Sequence, residues 1–129
     1  MPEEGGTYAP KPEILSFEEM ARFVRIAAEL GVRKIRITGG EPLARKDLHK
    51  LIALIREIPA IEDLAVTTNA VLLGDQAEAL YAAGLRRLNI HVDTLDRERF
   101  RQITRRDELP RVLANIDRVL AMGFGPVKI

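Results

Sequence analysis

Cysteine is absent from all 129 residues. Its absence removes disulfides, thiol nucleophiles and any cysteine-held iron–sulfur cluster from the chemistry this chain can perform by itself. An excess of either charge is missing too. Lys and Arg number 20 against 19 Asp and Glu, and a net charge of +1 excludes the basic face of a nucleic-acid binder. The pairs Arg45-Lys46, Arg86-Arg87 and Arg105-Arg106 are isolated and read as solvated surface charges. No run approaches the roughly 20 apolar residues of a membrane span. The first residues have neither the charge nor the apolar core of a signal peptide, so a cytoplasmic protein without membrane contact is expected. What remains is ordinary: 47% apolar and 30% charged residues suit one globular domain.

Residues 1–15, rich in Pro, Gly and acids without a period, read as an N-terminal loop, and the folded domain is expected over 16–129. Ser16 with Glu19 forms a capping box, Leu15 and Met20 occupy the positions of a hydrophobic staple, and Phe17, Met20, Val24 and Ala27 make one apolar stripe ending at Gly31. A strand follows near 33–38. The next helix starts at about Asp47, with Leu48, Leu51, Ile52, Ile55 and Ile58 on one face and Pro59 behind it. Leu64 to Thr68 is a second strand. Asp75 and Glu78 repeat the cap pattern before a short helix to Gly84, and a third strand lies near 87–92. Arg97 to Thr104 reads as a turn-rich piece. Leu109, Val112, Leu113, Ile116, Val119 and Leu120 then form the longest helix before Gly123, and Val127 to Ile129 begins a fourth strand.

Gly31-Val32, Gly84-Leu85 and Gly123-Phe124 each close a helix shortly before an aliphatic strand, which marks a repeated βα unit and a parallel sheet with right-handed crossovers. Periodicity alone does not separate a doubly wound sheet from an arc of a (β/α) barrel. The strands decide, because a sheet covered on both faces needs strands that are apolar throughout, and these alternate. Ile35 and Ile37 oppose Arg36 and Thr38; Leu64 and Val66 oppose Ala65, Thr67 and Asn69; Leu88, Ile90 and Val92 oppose Asn89, His91 and Asp93; Val127 and Ile129 oppose Lys128. The expected fold is therefore α/β, a partial TIM-barrel-like (β/α) barrel, with about four parallel strands, helices on one face and a polar concave face.

Ile37-Thr38-Gly39-Gly40-Glu41-Pro42-Leu43 places a carboxylate and a bare backbone at a strand end, where α/β proteins keep their chemistry. Gly39 and Gly40 let a ligand touch the main chain, and Glu41 offers an acceptor for an ammonium. Glu41 and Asp93 are the only strand-end acids. With no nucleophile, metal set or acid–base pair, neither catalytic nor metal-binding residues are assigned.

The series Val32 to Leu43, Arg45-Lys46-Asp47-Leu48, Thr67-Thr68-Asn69, and Asn89 with Asp93-Thr94-Leu95-Asp96 resembles the radical S-adenosylmethionine enzymes, and within them the GTP 3′,8-cyclase family of molybdenum cofactor biosynthesis. The resemblance covers nearly the whole chain. It implies a lyase that uses S-adenosylmethionine and a [4Fe–4S] cluster on three cysteines to convert GTP to 3′,8-cyclo-7,8-dihydroguanosine triphosphate, with a homodimer as the complete enzyme. It implies binding of the cofactor's amino group by Gly39, Gly40 and Glu41, and contacts to GTP by Arg36, Thr67 and Lys128. His91 stands where the family usually has a serine touching S-adenosylmethionine. Ala70 stands where it commonly has glycine, so a positive φ there would be strained.

The family's cysteine motif would end just before Met1. The chain is therefore expected to be an internal piece of such an enzyme, or the product of a start codon placed too late, inactive by itself and without a cluster. Two other readings stay open: a cluster-free nucleotide- or anion-binding remnant, and a piece of another radical enzyme with a similar barrel. For Arg36 the competing role is a structural pair with an acid such as Asp93, and for His91 it is that of a satisfied interior residue.

Overall fold

Alternating helices and strands fold into one parallel sheet, in a computed structural model that describes residues 15–129. The expected N-terminal loop lies, apart from Leu15, outside the described residues. The chain runs α1 (Phe17–Glu29), β1 (Lys34–Ile37), a 3-10 turn (Pro42–Ala44), α2 (Leu48–Arg56), β2 (Asp63–Thr68), α3 (Leu73–Ala83), β3 (Arg87–Ile90), α4 (Arg97–Thr104), α5 (Leu109–Met122) and β4 (Val127–Lys128). The strands lie side by side in the order β1-β2-β3-β4, and every adjacent pair is parallel. A doubly wound sheet reverses its strand order at a switch point. An unbroken sequential order is that of an arc of a (β/α) barrel, as expected. Among the described residues no helix is long and apolar enough to cross a membrane.

Local chemistry sets the element ends. The Ser16 hydroxyl oxygen accepts the Glu19 N–H at 3.0 Å and starts α1. Three helices stop in the same way: Gly31, Gly84 and Gly123 take φ of 103°, 108° and 100°. The N–H of the next residue (Val32, Leu85, Phe124) then reaches back to the carbonyl of Ala27, Leu80 or Val119 at 3.0, 3.0 and 3.1 Å. These are the repeated junctions visible in the sequence.

Two local expectations fail. Asp75 does not cap α3: the helix begins at Leu73, after Leu72, with no side-chain cap bond. Leu73 is fully buried, and its burial sets the start. Asp75 and Glu78 instead meet Arg111 and Arg118 of α5 at 3.5 and 3.0 Å. The segment Arg97–Thr104 is a helix rather than turns, because Asp96 accepts the Arg99 N–H at 3.0 Å. Only Phe100 of that helix is buried, so its sequence carries no apolar period to read.

Several arginines taken as solvated are structural. Arg45 donates to the Leu15 carbonyl at 2.6 Å and lies 4.3 Å over the Phe17 ring. Arg86 donates to the Tyr81 and Leu85 carbonyls at 2.7 and 2.8 Å and stacks on Tyr81. Arg87 pairs with Asp63 at 2.7 Å. A planar guanidinium can stack and donate at once, which composition does not reveal.

The core follows the aliphatic rows. Leu64, Val66 and Leu88 are buried with Ile52, Ile55, Leu73, Leu80, Val112 and Val119 of the helices. On the other face Arg36 and Lys128 are exposed and Thr67 and Asn89 half-buried, with Ala65 the buried exception. Burial thus alternates along the strands as the sequence required.

Candidate functional site

The strand ends converge on a cavity of about 600 Å³, whose lining includes Gly39, Gly40, Glu41, Thr67, Asn69 and His91. Gly39 has a φ of 146°, a conformation that side chains disfavour. A Cβ added to Gly39 or Gly40 would meet nothing within 4 Å, so the main chain there lies bare to a ligand.

Glu41 is held from three sides. Its Oε1 accepts the Leu43 N–H at 3.1 Å and the Thr68 hydroxyl at 2.6 Å, while its Oε2 accepts the Asn69 N–H at 2.8 Å. A carboxylate offers about four acceptor directions, so most of its capacity goes to joining the ends of β1 and β2. The notion of Glu41 as a free acceptor for an ammonium is thereby narrowed to one remaining direction, on Oε2.

The next turn is built on Ala70, which takes a φ of 66° and is fully buried. The backbone here has the positive φ that strains an alanine. Thr68 Oγ1 accepts the Ala70 N–H at 3.0 Å, Asn69 Oδ1 accepts the Val71 N–H at 3.0 Å, and Asn115 Nδ2 donates to the Ala70 carbonyl at 2.8 Å. Three side chains impose a backbone that alanine resists.

His91 follows β3, its N–H bonded to the Thr68 carbonyl at 2.9 Å. Its ring is 72% exposed and lies 2.9 Å from Asp93 Oδ1, so it is not an interior residue. Asp93 is therefore engaged with His91, and among the described residues Arg36 forms no ion pair. Arg36 lines a separate apolar groove beside β1 with Met20, Phe23 and Leu51. The structure thus gathers Gly39, Gly40, Glu41, Thr67 and His91 in one cavity and leaves Arg36 and Lys128 outside its lining.

The residues that sequence reasoning missed come from the α4–α5 side, where Phe100, Ile103, Arg106 and Glu108 also line the cavity. Arg97 braces this loop through two bonds of 2.7 Å to Asp107. Those bonds hold the Asp107 carboxyl below its ordinary range and raise Arg97 above its own. One signal was available: Glu108 stands at a helix start although Glu is a poor N-cap. Among the described residues no group of three or more His, Cys, Asp or Glu is placed to hold a metal.

Residues 3–129 match the Radical SAM superfamily. The chain belongs to that superfamily. Within it, the chain is 50% identical over 129 residues to the GTP 3′,8-cyclase of Syntrophomonas wolfei, covering 100% of this chain and 40% of that protein. It is 49% identical over 118 residues to the Staphylococcus carnosus GTP 3′,8-cyclase, covering 91% of this chain and 35% of that protein. Against the Listeria monocytogenes GTP 3′,8-cyclase it is 44% identical over 129 residues, 100% and 39% of the two chains. The chain therefore spans 35% to 40% of the length of these radical SAM relatives.

Proposed function

We propose that this chain works within a GTP 3′,8-cyclase of molybdenum cofactor biosynthesis, its cavity taking S-adenosylmethionine and its polar sheet face meeting GTP. The observation that carries the reading is the bare Gly39–Gly40 backbone at a cavity formed by strand ends, in a chain about half identical to proteins of that name. Open space over both glycines suits the cofactor's aminoacyl end, so the residues present fit that group. Glu41 keeps the turn in shape and lends its one remaining acceptor direction to the ammonium. His91 reaches the same ligand from the end of β3, and Thr67 meets GTP from β2. Arg36 and Lys128 supply the cations for the triphosphate.

In the complete enzyme S-adenosylmethionine, given one electron by a cluster held outside these residues, would supply the radical that takes hydrogen from the ribose of GTP. These residues do not fit a [4Fe–4S] cluster, because none is cysteine, and no step through one is assigned to them. A cytoplasmic location and a homodimeric complete enzyme belong to the same proposal. The missing cysteines favour one further reading, a module that binds nucleotides without turnover.

Calorimetric titration of the chain with S-adenosylmethionine and with GTP tests both. Gly40→Leu fills the open space, so it should lose at least about tenfold in S-adenosylmethionine affinity while GTP affinity and the melting temperature stay put. Unchanged S-adenosylmethionine binding by Gly40→Leu would remove the cavity as its site. Anaerobic reconstitution followed by iron analysis should find no stoichiometric iron.

A further inference from the structure

Resting on the reading of the cavity as the S-adenosylmethionine site, we propose that Asp93 is a positioning residue: it keeps the proton of the neutral His91 ring on Nε2, and the bare Nδ1 then serves, beside Glu41, as a second acceptor for the ligand's ammonium. Both side chains line the cavity. His91 Nε2 lies 2.9 Å from Asp93 Oδ1. An ionised carboxylate only accepts, so Nε2 carries a proton whatever the charge of the ring. Nδ1 has no hydrogen-bond partner among the described residues and is the ring atom left for a ligand. The ring is 72% exposed, so a ligand in the cavity can reach it.

The ring stands beside Glu41. The Thr68 carbonyl accepts the His91 N–H at 2.9 Å, and the Thr68 hydroxyl donates to Glu41 Oε1 at 2.6 Å, so imidazole and carboxylate are set on adjoining strand ends. An ammonium has three donors and Glu41 has one acceptor direction left, so a further acceptor at this place meets a need that Glu41 alone cannot. The charge of the ring decides whether it does. Protonation of Nδ1 turns the acceptor into a donor and sets a cation against the ammonium and sulfonium of the ligand. The charged groups around the ring are Glu41 from the turn after β1, Arg106 and Glu108 from the α4–α5 side, and Asp93 itself, while Thr67 and Asn69 of the β2 end do not titrate. On β4, Lys128 lies in register with Asn89, two residues before His91. Among such groups a histidine is the one that ordinarily changes charge between about pH 5 and pH 8, and His49 of α2 is the chain's only other histidine.

The chain, His91→Ala and Asp93→Asn are titrated calorimetrically at about pH 7 and about pH 5.5 with S-adenosylmethionine and with its deaminated analogue, which keeps the sulfonium but lacks the ammonium. For the parent chain, S-adenosylmethionine affinity should fall at least about fivefold from the higher pH to the lower, and affinity for the analogue should change much less. His91→Ala should weaken S-adenosylmethionine about tenfold at the higher pH and abolish the fall. In Asp93→Asn the amide can donate to Nε2 and move the ring proton to Nδ1, so affinity at the higher pH should drop about three- to tenfold while the analogue binds as before. All three chains should melt together, since the pair is exposed. An affinity that stays flat or rises as pH falls, a fall that survives in His91→Ala, or an Asp93→Asn chain that binds like the parent each overturns this proposal and leaves the cavity reading standing. Equal weakening of the analogue by Asp93→Asn marks a field effect of the carboxylate, and a variant melting well below the parent marks a structural pair; either overturns it too. Failure of the parent chain to bind S-adenosylmethionine removes the cavity reading and this proposal together.

Discussion

The Thr68 hydroxyl donates to Oε1 of Glu41 across 2.6 Å, joining the last residue of β2 to the turn that follows β1. Thr68 is buried on the helix side of the sheet, so its hydroxyl needs a partner, and Glu41 is that partner. The Asn69 N–H, bonded to Oε2 at 2.8 Å, brings the next residue into the same bracket. The glycine turn over the cavity thus keeps its shape because a charged acceptor pins both strand ends.

Removing that acceptor should cost stability as well as binding. Hydrogen bonds to a charged group contribute about 1.5–3 kcal/mol each and do not add fully, so Glu41→Ala should lose about 2–4 kcal/mol in urea unfolding. Glu41→Gln can still accept from Thr68 and Leu43 but sets an amide NH₂ against the Asn69 N–H, and should lose about 1–2 kcal/mol. A Glu41→Ala chain as stable as the parent would show that the bracket is incidental.

The Arg97–Asp107 pair predicts an acid-side effect. Its hydrogen bond to Arg97 places the Asp107 carboxyl below its unfolded value, near 3.9, so its stabilising contribution is present above that pH and disappears as pH falls through the lower folded value. The raised Arg97 contributes below its own unfolded value, which covers the whole working range. Melting curves from about pH 3 to pH 7 should therefore show a smaller acid-side decline for Asp107→Asn than for the parent. Identical declines would place the acid sensitivity elsewhere.

Much of this was legible in the sequence because it depends on period and on glycine. The alternation of Leu64, Val66 and Leu88 with Thr67 and Asn89 revealed both faces of the sheet, and the three glycine stops revealed the repeated unit. The α4–α5 wall was not legible. With one buried residue, α4 has no period, and Arg106 and Glu108 belong to a loop whose approach to the cavity is a tertiary event. Arg45 and Arg86 were misread because stacking on Phe17 and Tyr81 leaves no mark in spacing.

Ala70 gives a test that separates strain from packing. A left-handed conformation costs alanine about 1–2 kcal/mol relative to glycine, and the extra freedom of glycine in the unfolded chain returns about 0.5–1 kcal/mol of that. Loss of one buried methyl returns about as much again, so Ala70→Gly should change stability by less than about 1 kcal/mol. Ala70→Val adds a branched Cβ at a φ of 66° in a fully buried position, and should lose at least about 3 kcal/mol. Equal losses for the two variants would mean that packing, not the backbone, governs the site.

Arg36 and Lys128 test the assignment of the polar face. Arg36 lies in register with Ala65, whereas Thr67 pairs with Asn89 and Asn89 with Lys128, so the two cations occupy neighbouring polar rows at opposite edges of the sheet. Three strand spacings separate them by about 14 Å across the sheet and two residues by about 6.6 Å along it, a gap that long side chains on a curved sheet and an extended triphosphate can bridge. Both residues are exposed and neither forms an ion pair among the described residues, so alanine at either position should leave melting unchanged. Arg36→Ala and Lys128→Ala should each weaken GTP binding about ten- to hundredfold in calorimetry, with S-adenosylmethionine affinity held within about twofold. The reverse pattern, normal GTP affinity with lost S-adenosylmethionine binding, would assign this face to the cofactor instead. If only Lys128→Ala weakens GTP, Arg36 at the β1 edge takes no part in the GTP site.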